Sequence, residues 1–256
     1  MPEPAATRRV RPGTGGSWEI RHFATIDSTN RYLLAEARAG APDGVVAVAD
    51  HQSAGRGRLG RSWEAAPGAA LLVSVLLRPA LDPEQLGLCT MAAGLALVGA
   101  VRSVSGVVAG LKWPNDLVVG DRKLAGLLAE ADLAAGAVRA VVVGAGCNLA
   151  VGGYPPDLAE LATSVAEESG RPVARDAVLE AFLDDLDRWL ADLGALPAAY
   201  RSASATLGRR VRVELGADRV LGGTAVDLTP TGALVVRDDD GADHTVSVGD
   251  VVHLRT

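Results

Sequence analysis

The spacing of hydrophobic residues changes several times along the chain, and each change marks a predicted element. Short apolar or alternating runs predict strands at residues 18–23, 44–49, 70–77, 111–119, 123–130 and 138–144. Two longer stretches predict helices at residues 86–104 and 177–193. Asp27-Ser28-Thr29 supplies helix-capping side chains ahead of Leu33, Leu34 and Ala37, so a third helix is expected to begin there.

The last fifty residues have a different pattern. From about Thr206, short alternating segments at residues 211–215, 224–228, 233–236 and 245–254 are separated by turn residues, which predicts a small all-β domain. The acidic run Asp238–Asp240 is typical of a solvated hairpin turn rather than of a metal site. Residues 1–17 are rich in Pro, Gly, Ala and Arg without periodicity and predict a flexible N-terminal segment. The expected domains are therefore residues 18–205 and residues 206–256.

Composition narrows the class of protein. The 256 residues carry a formal net charge of −6 with a pI near 5.3, so no overall positive field attracts nucleic acid or an anionic membrane. The longest uncharged apolar stretch, Leu86–Val101, is shorter than the roughly 18–20 residues that a spanning helix needs. The first residues lack the apolar run of a secretory signal, and Cys89 and Cys147 form no paired motif. A cytoplasmic protein with reduced thiols is expected, without nucleic-acid or membrane partners.

The choice of basic residues is unusual. Of the 25 basic side chains, only Lys112 and Lys123 are lysines, and the others are arginines. Because arginine is used elsewhere in the chain, a compact ammonium group is expected to matter at these two positions.

The densest motif is the glycine–arginine loop, residues 52–63, in which Arg56, Arg58 and Arg61 alternate with three glycines after a predicted strand. Glycines allow backbone N–H groups to approach an anion closely, and arginines add permanent positive charge. The spacing also matches the bare dinucleotide-binding and P-loop patterns. Both patterns require a helix directly after the last glycine, whereas Pro67 and Gly68 follow here. A nucleotide-dependent oxidoreductase is expected only if a helix follows Gly60.

Two further segments carry candidate chemistry. Lys112-Trp113-Pro114-Asn115-Asp116 places polar side chains around a tight or cis Trp–Pro turn, and Asp121–Gly126 follows it. A satisfied polar turn is the alternative interpretation of this segment. Gly144-Ala145-Gly146-Cys147-Asn148 ends an apolar strand with small residues that permit close approach to a ligand.

In this order, the motifs between Ile26 and Asn148 resemble those of the biotin–protein ligases. The resemblance implies an α/β fold, with a mixed-sheet catalytic domain of the biotin/lipoate ligase type followed by a small SH3-like β-barrel domain. It implies that biotin and ATP react to biotinyl-5′-AMP, and that the biotinyl group then passes to a lysine of a biotin carboxyl carrier domain of an acyl-CoA or pyruvate carboxylase. Some relatives carry an N-terminal winged helix and repress transcription. This sequence begins too close to its motifs for that, so no repressor activity is expected.

The resemblance also implies residue roles. The catalytic group comprises Lys123, Arg56 and Arg58. The biotin-binding residues are Ser28, Thr29, Asn30, Gln52, Gly55, Arg56, Gly57, Arg58, Trp63, Lys123 and Gly126. The nucleotide-binding residues are Arg58, Arg61, Lys112, Asn115, Lys123 and Asn148. Mg²⁺ is expected on the ATP polyphosphate with Asp116 as its protein ligand, and no tightly bound organic cofactor is expected.

Two other functions are alternatives to this one. A lipoate or octanoate ligase of the same architecture differs in whether its pocket forms hydrogen bonds to a ureido ring. An RNA-binding module could use Arg56, Arg58 and Arg61 as a phosphate patch, but it needs interleaved aromatic residues and only Trp63 is adjacent. Within the resemblance, Leu59 stands where relatives can carry another arginine, which would loosen retention of the adenylate.

Overall fold

A computed structural model describes residues 4–11, 16–215, 219–247 and 249–254. The first part of the chain forms strands β1 (Ala5–Val10), β2 (Ser17–Ile26), β3 (Val45–Gln52), β4 (Ala70–Leu77), β5 (Gly110–Lys112), β6 (Asp116–Val119), β7 (Arg122–Ala134) and β8 (Ala137–Asn148). The helices are α1 (Thr29–Arg38), α2 (Gly87–Ser105), α3 (Val165–Ser169), α4 (Arg175–Ala191) and α5 (Leu196–Ala203). Five strands follow: β9 (Arg210–Glu214), β10 (Val220–Leu228), β11 (Leu234–Arg237), β12 (Asp243–Val246) and β13 (Asp250–His253).

Strands β1 to β8 form one mixed sheet in the order β1-β2-β3-β4-β8-β7-β6-β5. Strands β2 and β3 are parallel and are connected through α1, whereas the other neighbours are antiparallel. Helices α2 and α4 pack with the larger core on one face of this sheet, and α1 packs with a smaller core on the other. The predicted mixed α/β fold is confirmed, with β8 near the centre of the sheet.

Helix α1 begins where the capping residues predicted it. Ser28 is the N-cap, and its side chain accepts a hydrogen bond from the backbone N–H of Arg31. Leu33 and Ala37 then lie one turn apart on the face that packs against the sheet. This cap fixes the position of Thr29 and Asn30, the first two residues of the helix, at the sheet surface.

Helix α2 is apolar on nearly all sides because it is enclosed by other elements. The helical stretch Pro83–Ser105 is long and apolar enough to span a membrane by length and composition, yet most of it is buried within this protein. It packs against α4 and α5 and against the sheet, as the core helix of a globular domain does. Gly106, at φ 81°, ends the helix in a left-handed conformation that favours glycine.

The flexible segment predicted for residues 1–17 is wrong where the structure describes it. Ala5–Val10 forms β1, which pairs antiparallel with β2 at the edge of the sheet. Arg11 is buried, its guanidinium lies over the ring of Trp18, and it forms ion pairs with Asp43 and Asp187. Pairing of β1 with β2 and the ion pairs of Arg11 order this segment, although its composition favours a flexible one. Residues 1–3 and 12–15 lie outside the described residues.

The small all-β unit after Thr206 is confirmed as a five-stranded antiparallel sheet, in the order β12-β11-β10-β9-β13. Its apolar side continues the larger core of the mixed sheet. The acidic run forms the turn between β11 and β12, where Asp238 accepts backbone hydrogen bonds from Asp240 and Ala242. The SH3-like barrel shape and the boundary at residue 205 stay predictions.

Element boundaries differ from the predictions in several places. The strand expected at residues 111–119 is two strands, because the cis Trp113–Pro114 bond lies in the turn between β5 and β6. Strand β7 extends beyond residue 130 to Ala134, and α4 ends at Ala191 rather than at residue 193. Such ends are set by tertiary pairing and capping, which hydrophobic spacing does not record.

Candidate active site

A cavity of about 370 Å³ opens on the face of the mixed sheet that also carries α1. Its wall includes the start of α1, the glycine–arginine loop and strands β6, β7 and β8, and the second domain adds Glu214 and Asp250–Val252. This volume lies in the usual range for small-molecule sites. Both domains therefore contribute to one site.

The floor of the cavity consists of two facing glycines. Gly126 on β7 is the registered partner of Gly146 on β8, and the ring of Trp63 lies over both. A Cβ atom at Gly146 would lie 2.4 Å from the Trp63 ring, and one at Gly126 would lie 3.1 Å from it. Glycine is needed at position 146 because a flat aromatic side chain packs directly on the backbone, and position 126 leaves little room for a larger residue.

Polar side chains form a connected chain beside this floor. The Oε1 atom of Gln52 accepts a hydrogen bond from the backbone N–H of Thr29 at 2.7 Å and lies 2.9 Å from the Thr29 hydroxyl oxygen. The hydroxyl of Ser74, fully buried on β4, lies 2.7 Å from the Thr29 hydroxyl and donates to Oδ1 of Asn30 at 2.6 Å. Such a chain holds each group in one orientation.

Both amide protons of Asn30 are used by the protein. Its Nδ2 donates to the carbonyl of Leu128 at 3.1 Å and to Oε2 of Glu130 at 2.9 Å. Its Oδ1 lies 2.2 Å from where a Cβ atom at Gly144 would stand, which requires glycine there. Asn30 lines the cavity and its amide supports the neighbouring groups, while its contact with biotin stays a prediction.

Arg56 and Glu130 form an ion pair at the rim of the cavity. The Nη1 atom of Arg56 lies 2.8 Å from Oε1 and 3.1 Å from Oε2 of Glu130. In the same loop, Arg56 and Ser62 form an isolated bridge and the N–H of Trp63 donates to the carbonyl of Gly55. The loop therefore forms a hairpin, and the ion pair of Arg56 with Glu130 attaches it to β7.

Lys123 and Asp116 form an ion pair across β6 and β7. The Nζ atom of Lys123 lies 2.7 Å from Oδ1 of Asp116 and 5.7 Å from the centre of the Trp63 ring. The Asp116 oxygen is buried, and the contact is an ion pair rather than a well-aligned hydrogen bond. The ammonium is thus held between the Asp116 carboxylate and the Trp63 ring that lies on the cavity floor.

Arg58 connects the loop to the second domain. Its guanidinium donates to Oδ1 of Asn115 at 3.1 Å and to the carbonyl of Gly249 at 3.2 Å, and it pairs with Asp250. Arg61 pairs with the same Asp250 carboxylate. Burial lowers the pKa of Arg58 and the charge of Arg61 adds to this, while Asp116 opposes it.

The structure brings most of the predicted site residues into this cavity. The predicted residues that line it are Ser28, Thr29, Asn30, Gln52, Arg56, Gly57, Arg58, Arg61, Trp63, Lys112, Asn115, Asp116, Lys123 and Gly126. Gly55 is part of the loop but faces away from this cavity, and a Cβ atom there would be 2.2 Å from the carbonyl oxygen of Trp63. Asn148 is buried with its amide donating to the carbonyl of Thr163, so the structure does not bring it to the cavity.

Three residues in or beside the cavity were missed by the sequence analysis: Asp250 lines it, and Ser74 and Glu130 contact Asn30 in its wall. Ser74, Glu130 and Asp250 lie in elements predicted only as strands or as part of the β domain. Period-two alternation places Gly126, Leu128 and Glu130 on one face of β7, and this is the signal that could have identified Glu130. No local signal relates Asp250 to a loop nearly two hundred residues earlier.

Other expectations concern groups outside the cavity wall. Leu59 is exposed at the loop tip with φ 54°, so its effect on adenylate retention stays a prediction. Burial raises the pKa values of the Cys89 and Cys147 thiols to about 12, as expected for buried, unreactive cysteines. Between Gly60 and β4 the chain forms no helix, which removes the dinucleotide-binding and P-loop interpretations.

Comparison with known proteins gives consistent matches over both domains. The model of the biotin/lipoate A/B protein ligase family matches residues 22–148, and that of the biotin protein ligase C terminal domain matches residues 206–254. The biotin–acetyl-CoA-carboxylase ligase of Mycobacterium tuberculosis is 40% identical over 253 residues, covering 95% of this chain and 92% of that protein. The enzyme of the same description from Paracoccus denitrificans is 34% identical, covering 86% and 94%.

Solved structures agree with these relatives. The biotin protein ligase of Aquifex aeolicus in complex with biotin and ATP has a TM-score of 0.75 at 26% identity, covering 93% of this chain and 99% of that chain. Its R40G mutant in complex with biotin gives 0.78 at 25% identity, with coverage of 92% and 98%. The cavity, the order of its motifs and these similarities lead to one conclusion: the chain is an enzyme of the biotin–protein ligase family.

Proposed function

We propose that this chain activates biotin with ATP and transfers the biotinyl group to a lysine of a carrier domain. A biotin carboxylate oxygen bonds to the α-phosphorus of ATP and pyrophosphate leaves. The amine of the carrier lysine then bonds to the carbonyl carbon of the biotinyl-adenylate, loses a proton and releases AMP. The observation that carries the proposal is one cavity that combines the Lys123 ammonium with the Thr29–Gln52 polar wall.

The first step brings two anions together, and fixed positive charges lower its barrier. Lys123 and Arg58 both line the cavity on the side of Asp116 and Asn115. One preorganised donor of this kind typically contributes about 2.7–4 kcal/mol to transition-state stabilisation. We assign Lys123 to the carboxylate and the α-phosphate, and Arg58 with Arg61 to the polyphosphate. The catalytic role predicted for Arg56 stays a prediction, since its guanidinium pairs with Glu130.

The neutral ring of biotin needs a few directed hydrogen bonds and apolar walls. Thr29 and Gln52 supply aligned polar groups, and Trp63 supplies a flat apolar surface over Gly126 and Gly146. We place the ureido ring against the polar wall and the carboxylate tail toward Lys123. Because the two ends of this cavity differ in chemistry, biotin binds in one direction.

Mg²⁺ enters as part of the nucleotide substrate, MgATP. In the described residues no group of three or more His, Cys, Asp and Glu side chains is arranged to hold a metal. Asp116 is the predicted protein ligand. One oxygen of its carboxylate is paired with Lys123, and the other could bind a cation already held by phosphates. Bound there, the cation would neutralise polyphosphate charge.

The partner and compartment follow from the proposed reaction. The acceptor is a biotin carboxyl carrier domain of an acyl-CoA or pyruvate carboxylase, and the protein acts in the cytoplasm. The two buried free cysteines support a reducing compartment.

The decisive experiment measures pyrophosphate release from MgATP with biotin, lipoate or octanoate offered separately, followed by mass spectrometry of an apo carrier domain. We expect release with biotin and a biotinyl mass increase on the carrier lysine. Release with lipoate or octanoate instead would assign the same cavity to that acid. No release with any acid would refute the proposed chemistry.

A further inference from the structure

We propose that Glu130 is a positioning residue that ties the glycine–arginine loop to the wall of the biotin cavity. The inference rests on the proposed function, because it assumes that biotin occupies this cavity. It assigns the Glu130 carboxylate a role in biotin affinity and in retention of the adenylate, through Arg56 and Asn30.

On the cavity side, Glu130 completes the hydrogen bonds of Asn30. The amide oxygen of Asn30 can only accept, so it accepts the single hydroxyl proton of Ser74. The Thr29 hydroxyl can then donate to the Ser74 oxygen, while the Thr29 backbone N–H donates to Gln52. The two amide protons of Asn30 go to the Leu128 carbonyl and to Glu130. Glu130 therefore ends a continuous chain that begins at Gln52.

On the loop side, the same carboxylate holds Arg56. The bridge between Arg56 and Ser62 and the bond from Trp63 to Gly55 join Arg56 to the position of Trp63. Trp63 lies on Gly126 and Gly146 and so covers the cavity floor. Fixing Arg56 thus restricts the segment that must stay closed while biotin and its adenylate are bound.

The chemistry of the contact requires an acceptor that donates nothing. Asn30 and Arg56 both offer N–H groups, and an ionised carboxylate accepts from both at once. Glutamine has the same shape but must turn its own N–H₂ toward one of the two donors. Glu130→Gln therefore breaks the link while leaving the strand and its volume unchanged.

Strand β7 also provides a matched control. Asp132 lies two residues further along the same face, and it pairs with Arg38 of α1 at 3.3 Å. Its partner Arg38 lies outside the cavity wall, whereas Arg56, the partner of Glu130, lines the cavity. Asp132→Asn removes a carboxylate–arginine pair of the same type from the same strand, away from the proposed biotin site.

The test compares wild type, Glu130→Gln and Asp132→Asn in the whole 256-residue chain. For Glu130→Gln we expect the KM for biotin to rise roughly tenfold, the size of one charge-assisted hydrogen bond. The kcat for adenylation should change by about twofold or less, because the lost interaction is uniform binding. Biotinyl-adenylate should leave the enzyme faster, and trypsin should cut within residues 56–61 even with biotin present. Asp132→Asn should match wild type in all four measurements.

A double variant separates positioning from general destabilisation. Arg56→Gln combined with Glu130→Gln should raise the biotin KM no more than the stronger single variant, because both changes break one link. Additive effects, an unchanged biotin KM in Glu130→Gln, or equal effects in Asp132→Asn would overturn the proposal. Inactivity of the wild-type chain with biotin would instead refute the proposed function, so the two failures are distinguishable.

Discussion

The ammonium of Lys123 lies 2.7 Å from the carboxylate of Asp116, on the strand beside it in the mixed sheet. Asp116 is the registered partner of Gly126, so the ion pair stands next to the glycine floor on which Trp63 packs. An opposite charge at this distance restricts a flexible lysine to one region of the cavity. The arrangement favours lysine over the arginine that the chain uses at nearly all its other basic positions, since a compact head fits between carboxylate and ring.

Replacing Lys123 with alanine is expected to slow adenylation far more than it affects folding. Loss of one preorganised charge should lower the rate of pyrophosphate release with biotin by about 10²–10³-fold. The melting temperature should fall only moderately: the Lys123 side chain is part-exposed, but its loss leaves the buried Asp116 oxygen without its cation. Lys123→Arg, which keeps the charge in a planar head, should recover only part of the rate. A loss of stability as large as the loss of rate would indicate a structural role.

Gly146→Ala is expected to weaken biotin binding by displacing Trp63. The added Cβ atom would lie 2.4 Å from the indole ring, so the ring must leave the cavity floor. Gly222→Ala is the control, because its Cβ atom meets nothing within 4 Å. Calorimetric titration with biotin should show weaker binding for Gly146→Ala and none of this loss for Gly222→Ala. Equal affinity of both variants would show that biotin does not depend on the Trp63 surface.

The part of the site that sequence predicts is the part built from local motifs. Ser28 caps α1 where the Asp-Ser-Thr signal placed it, and the glycine–arginine loop lines the cavity as a contiguous segment. Each of these residues is positioned by its own neighbours in the chain. The resemblance then assigns roles that no spacing rule gives.

The remaining features depend on contacts between distant segments. Ser74 and Glu130 reach Asn30 only because β4, β8 and β7 are neighbours in the sheet. The N-terminal strand β1 is stabilised by pairing with β2, and Arg11 by acidic groups far along the chain. Such effects appear only once the strand order is known, which hydrophobic periodicity does not specify.

Asp250→Asn is expected to lower the KM for MgATP by a few-fold. The Asp250 carboxylate lines the cavity and pairs with both Arg58 and Arg61, so it competes with phosphate for two guanidinium groups. Asp243→Asn, which removes an exposed ion pair with Arg237 in the same sheet, is the control and should leave this KM unchanged. Steady-state pyrophosphate release at varied MgATP measures both. A raised KM in Asp250→Asn would show instead that the carboxylate orients the arginines.

His253 is expected to make the folded state less stable below neutral pH. Burial, with the charges of Lys112 and Arg209, lowers the pKa of His253 to about 4 from its usual 6.5. The ring fits a neutral tautomer, because Arg209 can only donate to Nδ1 while Nε2 lies 3.1 Å from the hydroxyl of Thr206. That hydroxyl in turn accepts the backbone N–H of Trp113.

The sign of the effect follows from where the proton binds. Between pH 6.5 and about 4 the unfolded chain takes up a proton at His253 and the folded protein does not, so the free energy of unfolding falls as pH falls through this window. His253→Gln removes this contribution, which has a slope of at most about 1.4 kcal/mol per pH unit. Urea unfolding of both proteins from about pH 7.5 downward isolates it, because the carboxylates titrate equally in the two chains. Parallel stability curves would show that His253 titrates alike in the folded and unfolded states.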